Sequence, residues 1–341
     1  MSHLSKAAAP VLALALAAGV TAGASARSRV ASVLPKTPHY HSLLVSPSDP
    51  NDLILGTHYG LYVSTDGGRH WRFDALKGKD AMGLARPRGD TIWLTGHYVF
   101  KNSTDSGATW SNVRPAGLPT LDIHAFAVDP RAPETLYAAV AGIGLFRSTD
   151  NGRSFSLVSG KRGGAFMALL VTDNGRILAG DYLRGLLESS DGGRSWKRIV
   201  RATILGLAVN PNDPKRVLAS TAGIALSTDE GKTWRLVLNL PKGVGPVAWS
   251  RSDPKLAYAV GLNRVFYRST DSGQTWQAAQ VKPGLSPYTW QLWRADLQVD
   301  QSVKNVRVRA TDRQGHPQTR EQNPPFPSGA TGYHSITIAV A

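Results

Sequence analysis

Short apolar runs broken by turn residues recur along the chain from Tyr40 to about Ala279. Runs such as Gly60-Leu-Tyr-Val63, Gly144-Leu-Phe-Arg147 and Val265-Phe-Tyr-Arg268 alternate as half-buried strands do. Each leads into the pattern Ser-x-Asp-x-Gly-x-x-aromatic, which predicts a hairpin to a following strand. A second set of runs, including those over 52–57 and 216–220, follows proline-bearing turns at Ser46–Pro50, Asp129–Pro133, Asn210–Pro214 and Ser252–Pro254. These turns mark a second hairpin. Two hairpins in about forty residues give four antiparallel strands, the size of one propeller blade.

The Ser-x-Asp-x-Gly pattern occurs six times, with its aspartates at Asp66, Asp105, Asp150, Asp191, Asp229 and Asp271. They are separated by 39, 45, 41, 38 and 42 residues. The chemistry is that of a turn. A short carboxylate accepts backbone N–H groups of its own loop, and glycine supplies a backbone with positive φ. The serine hydroxyl steadies the loop, and the aromatic opens the next strand and enters the core. The six aspartates are therefore structural. The fold expected is all-β: a six-bladed β-propeller, with seven blades as the alternative, followed by a short immunoglobulin-like C-terminal segment.

These boxes resemble the Asp-box (BNR repeat) superfamily, which includes sialidases, sortilin-type propellers and photosystem II assembly factor-like proteins. The resemblance implies the fold more than the function. A sialidase would add an arginine triad, a Tyr–Glu nucleophile pair, an Asp acid/base and a Phe/Tyr-Arg-Ile-Pro segment. The last is absent here, no Tyr–Glu pair stands out, and Arg69, Arg153 and Arg194 are box residues.

Residues 1–26 read as a signal peptide. Lys6 precedes an apolar run over 7–20, too short to span a bilayer stably, and Ala24-Ser25-Ala26 offers small residues for cleavage. The expected mature chain begins at Arg27 and is periplasmic or secreted, with no transmembrane segment. The propeller is placed at 27–280 and the C-terminal segment at 281–341, or from near residue 260. The 341-residue chain has no cysteine, which excludes disulfides, thiolate metal sites and cysteine nucleophiles. It holds 34 glycines and 21 prolines, as a turn-rich β fold requires. A net charge of +15 is spread without a polybasic run, so no specific nucleic-acid partner is expected.

In a four-stranded blade, the box turn and the proline turn share one face. The turn between strands two and three and the lead-in to strand one occupy the other. His58 and His97 each lie eight residues before a box aspartate, in the turn between strands two and three. His41 and His124 each lie six residues before the proline of the next turn, at the start of a first strand. Met82 and Met167 fall near the same lead-in, and His39 and Tyr40 lie beside it. His41, His58, His97 and His124 are thus the candidate ligand site. With Met82 they are a candidate copper or zinc site, since imidazole and thioether suit soft or borderline ions. The competing reading is a local hydrogen-bonding network duplicated along with the repeat.

The segment from Tyr288 to Val340 carries a Trp290–Trp293 pair, then Arg309-Ala-Thr-Asp312-Arg-Gln-Gly315-His-Pro-Gln318 and Gly332-Tyr-His334. It resembles the immunoglobulin-like dimerisation domain of the sulfite oxidase family, which implies dimerisation or docking to an oxidoreductase. At 61 residues it is about half that module, and the box at Asp271 could belong to it. Without cysteine, no thiolate is available for molybdenum, so molybdopterin is not expected. The function read from all this is an exported binding or assembly propeller of the cell envelope. It has no complete catalytic site and takes a protein or glycan partner on the face opposite the boxes. The alternatives are a sialidase-like glycoside hydrolase on acidic glycans and an accessory protein of a molybdenum oxidoreductase.

Overall fold

The structure, a computed structural model, describes residues 30–31, 34–160, 165–281, 305–308 and 334–337. No α-helix occurs among them, and no helix is long and apolar enough to cross a membrane. Six four-stranded antiparallel sheets follow one another, each with its strands in sequence order. Blade 1 is built from Tyr40–Val45, Leu53–Thr57, Gly60–Ser64 and Arg72–Ala75. Blade 2 starts at Gly83–Ala85, blade 3 at Ile123–Val128, blade 4 at Phe166–Val171, blade 5 at Gly206–Asn210 and blade 6 at Val244–Trp249. Each first strand touches those of the two neighbouring blades, and the first strand of blade 1 touches that of blade 6, so the ring closes at six.

The box at Asp271 belongs to the propeller. It joins Phe266–Ser269 to Gln277–Ala278, the third and fourth strands of blade 6. Among the described residues, each four-stranded sheet is built from strands consecutive in sequence, with none taken from another blade. Closure rests on side chains: the Tyr258 hydroxyl donates to the Pro50 carbonyl at 2.8 Å, and the Arg264 guanidinium donates to the Leu34 carbonyl at 3.3 Å. A two-residue ladder of Val30–Ala31 with Gln280–Val281 brackets the seam. The C-terminal segment is described only where Asn305–Val308 pairs with His334–Thr337. The immunoglobulin-like reading and the N-terminal signal lie otherwise outside the described residues.

The boxes do what their chemistry dictates. In blade 1, Ser64 Oγ donates to Asp66 Oδ1 at 2.8 Å and accepts the Gly68 N–H at 2.9 Å. Asp66 Oδ1 also accepts the N–H groups of Arg69 and His70, each at 3.0 Å. The Ser–Asp and Gly–Ser bonds recur in all six boxes. Gly68 shows why the pattern needs glycine: its φ is +82°, and a Cβ there would meet the Phe266 ring at 2.1 Å. Each box thereby closes a hairpin and caps the neighbouring blade's core.

Candidate functional site

The sequence-derived face is the observed one. The boxes and proline turns share one side, while the short turns between second and third strands lie on the other, with the lead-ins to the first strands. A cavity of about 90 Å³ opens between the first strands of all six blades. His41, Met82, His124, Met167, Leu205 and Pro246 contribute to its wall, one from each blade.

A backbone irregularity aims these residues inward. In blade 1, Tyr40 pairs with Thr57 and Ser42 with Gly56, so His41 is left as a bulge. His124 in blade 3 and Met167 in blade 4 are bulged in the same way. A bulge re-aims a side chain that regular alternation would place elsewhere. Because Met167 has the same geometry as His41 and His124, the bulge belongs to the fold and the imidazoles are a choice made upon it.

Two aspartates that the sequence reading did not single out organise the histidines. Asp80 and Asp122 stand in the lead-ins to blades 2 and 3, and each reaches the turn of the preceding blade. Asp80 Oδ2 lies 2.9 Å from His58 Nδ1 and 3.5 Å from His97 Nε2, and Asp80 Oδ1 lies 3.3 Å from His41 Nε2. Asp122 Oδ1 lies 2.7 Å from His97 Nδ1 and 3.3 Å from His124 Nε2. His97 therefore bridges the two carboxylates. His39 lies beside the group, its ring tilted against His41 at 5.7 Å and edge-on to His58 at 6.1 Å.

The lead-ins are pinned by backbone. Ala81 N–H donates to Thr57 O at 3.0 Å, and Ala141 N–H donates to Asp122 O at 2.9 Å. Gly96 allows the His97 turn to lie against the Asp80 loop, since a Cβ there would meet Asp80 O at 2.1 Å. Thr57 Oγ1 holds the first turn by donating to Gly60 O at 2.9 Å.

Not every polar atom here is satisfied. The Asp80 side chain is only 5% exposed. Asp80 Oδ1, His41 Nε2 and His124 Nε2 are buried and make no hydrogen bond of acceptable geometry. Burial pushes the His41 imidazole down to about 4, against the Asp80 carboxylate, which favours the charged form, while His39, His58 and His97 push it lower. Burial likewise lowers His124, against Asp122. Both rings are thus held neutral at neutral pH, with nitrogen lone pairs available as acceptors or ligands.

His41, His58, His97 and His124 are thus brought together as expected. Met82 lines the cavity beside them. The six box aspartates take no part.

Other proteins share this architecture. The Photosystem II assembly lipoprotein Ycf48 of Synechococcus sp. (strain CC9902) is 24% identical over 293 residues, 80% of this chain and 86% of that protein. A probable oligoxyloglucan-reducing end-specific xyloglucanase of Neosartorya fischeri is 25% identical over 272 residues, 65% of this chain and 32% of the enzyme. This chain thus spans about a third of that xyloglucanase's length. A solved structure, the GH74 xyloglucanase from Xanthomonas campestris, superposes with a TM-score of 0.54 at 18% identity, over 74% of this chain and 46% of that one. At that identity the likeness is one of fold. The family model of the Photosynthesis system II assembly factor YCF48 matches residues 41–284, and the chain belongs to that family.

Proposed function

We propose that the protein is an exported binding and assembly propeller of the cell envelope, which seats a partner protein on the channel-mouth face and catalyses no reaction. The observation that carries this is the rim of that face. Nine large hydrophobic side chains are exposed among the described residues. Six of them, Tyr59, Tyr98, Ile143, Tyr182, Leu183 and Leu262, stand on the turns between second and third strands. The other three, Phe73, Leu157 and Leu236, lie on fourth strands at the blades' outer edges. An apolar and aromatic rim around a polar centre is the composition of a protein-binding surface.

Tyr98 adds to this. It is 75% exposed and holds a left-handed backbone, with φ +57°. A bulky residue in that region carries backbone strain. The assembly role draws on a relative whose name states it and whose length this chain nearly matches. Hydrolysis draws on curated relatives of whose length this chain matches a third or less. A cavity of about 90 Å³ is also small beside the roughly 300 Å³ at which organic-ligand pockets begin. Export rests on the leader read at residues 1–26.

The test is affinity capture from the native envelope, using the parent and a Tyr59→Ser/Tyr98→Ser/Tyr182→Ser variant. A partner retained by the parent and lost by the equally folded variant is expected, with no release of sugar from xyloglucan or chromogenic sialosides. Turnover on such a substrate, abolished by Asp80→Asn, would overturn the reading.

A further inference from the structure

We infer that the channel mouth binds divalent transition-metal ions, Zn²⁺ being the ion its donors fit, at two sites: His41/His58/Asp80 and His97/Asp122/His124. The inference stands apart from the partner proposed above. In each trio, one donor atom per residue lies within 4.8 Å of the others. The donors are two imidazole nitrogens and one carboxylate oxygen, a combination that zinc accepts with a fourth position left open.

Two of the separations match a shared ion better than they match a hydrogen bond. Donors at 2.0–2.1 Å from a tetrahedral zinc stand about 3.3–3.4 Å apart. His41 Nε2 and Asp80 Oδ1 are 3.3 Å apart, as are His124 Nε2 and Asp122 Oδ1. His41 Nε2, Asp80 Oδ1 and His124 Nε2 are also the three atoms of the cluster that are buried without a hydrogen bond. Each faces another donor at a distance where a proton is poorly shared and a cation is well held. The closer contacts, His58 Nδ1 to Asp80 Oδ2 at 2.9 Å and His97 Nδ1 to Asp122 Oδ1 at 2.7 Å, are hydrogen bonds that would open by about 0.4–0.7 Å to admit an ion.

The fold does not require this arrangement. Blades 4, 5 and 6 place Met167, Leu205 and Pro246 at the cavity wall and build the same four strands. Leaving buried polar atoms unpaired costs free energy, and a metal ion removes that cost. The open fourth position at each site is available to water or to a donor brought by a partner.

Isothermal titration of the chelator-treated protein with ZnCl₂ tests this, with thermal unfolding run alongside. Two ions per chain are expected, together with a rise in Tm. His58→Ala and Asp122→Asn should each lower the stoichiometry to one, and the double variant to zero. Because His58 is 41% exposed, its removal leaves the fold intact, which the Tm without zinc verifies. Met82→Leu should leave the titration unchanged. No zinc binding by the parent, or equal binding by the double variant, would overturn the assignment.

Discussion

Blades 1 to 3 and blades 4 to 6 share a backbone and differ at the channel mouth. In the first half, Asp80 and Asp122 leave their own blade to meet imidazoles of the blade before. In the second half, an acid on the same face is Asp181, at the turn between the second and third strands of blade 4. Its carboxylate is closed by its own turn: Oδ1 accepts Leu183 and Arg184 N–H at 2.9 and 2.7 Å, and Oδ2 accepts Arg184 Nε and Nη2 at 2.9 and 2.6 Å. One half keeps its acid saturated within a single turn, as a structural site does. The other half spreads its acids across blade junctions and leaves buried donor atoms unmatched. The difference separates what the fold needs from what it carries.

The largest expected effect lies in what both halves share. Gly68→Ala forces a side chain into a left-handed turn and onto the fully buried Phe266. We expect a loss of about 3 kcal/mol or more in denaturant unfolding. Gly142→Ala, also at positive φ but with nothing within 4 Å, should cost about 1 kcal/mol. Equal losses would show that the box glycine is not fixed by packing.

Next comes the box hydroxyl. Ser148→Ala removes a buried acceptor for Gly152 N–H and a donor to Asp150, for about 1–3 kcal/mol. The boxes also set the acid limit. The Thr109 hydroxyl and N–H, with Ser103, hold the Asp105 carboxyl down at about 2, and Asp229 is held at about 2 by Thr233. A lowered folded-state value contributes stability above the unfolded value of 3.8, and that contribution is lost as pH falls through 2. Thermal unfolding should therefore drop between pH 4 and 2, with a shallower slope in Asp105→Asn. An unchanged slope would show that the boxes do not govern acid stability.

Smaller still is Asp80→Ala, which copies Ala165, the residue at the matching position of blade 4. It should cost about 1 kcal/mol, since a hydrogen bond to His58 is lost while the ring stays closed. A loss as large as that of Gly68→Ala would make the cluster a structural element. Smallest, and opposite in sign, is Tyr98→Gly. Relief of its left-handed backbone should stabilise the fold by up to about 1 kcal/mol, read as a raised midpoint, while weakening partner capture.

The repeat made most of this legible. A fixed offset from the box aspartate placed His58 and His97 in equivalent turns, and an offset from the proline turn placed His41 and His124 at first strands. Asp80 and Asp122 escaped because they sit in blade linkers, where spacing to the box varies. A signal was present: Asp80-Ala-Met82 and Asp122-Ile-His124 repeat the spacing of His39-Tyr-His41. That one carboxylate serves three imidazoles depends on the lead-in of one blade lying beside the turn of the last, and no local pattern encodes that. The bulges that turn His41 and His124 inward are equally silent, since an extra residue in a strand leaves the apolar pattern readable either way. The Asp271 box was ambiguous because the pattern lapses after it, and the short strand Gln277–Ala278 decides for blade 6.

The central claim is that the two faces divide the labour, with structure on the box face and binding on the histidine face. A photo-crosslinking residue placed at Tyr98 and, separately, at Arg69, which is exposed beside the first box, tests it in the native envelope. We predict a discrete crosslinked partner from Tyr98 and none from Arg69. A partner captured from Arg69 and not from Tyr98 would contradict the account.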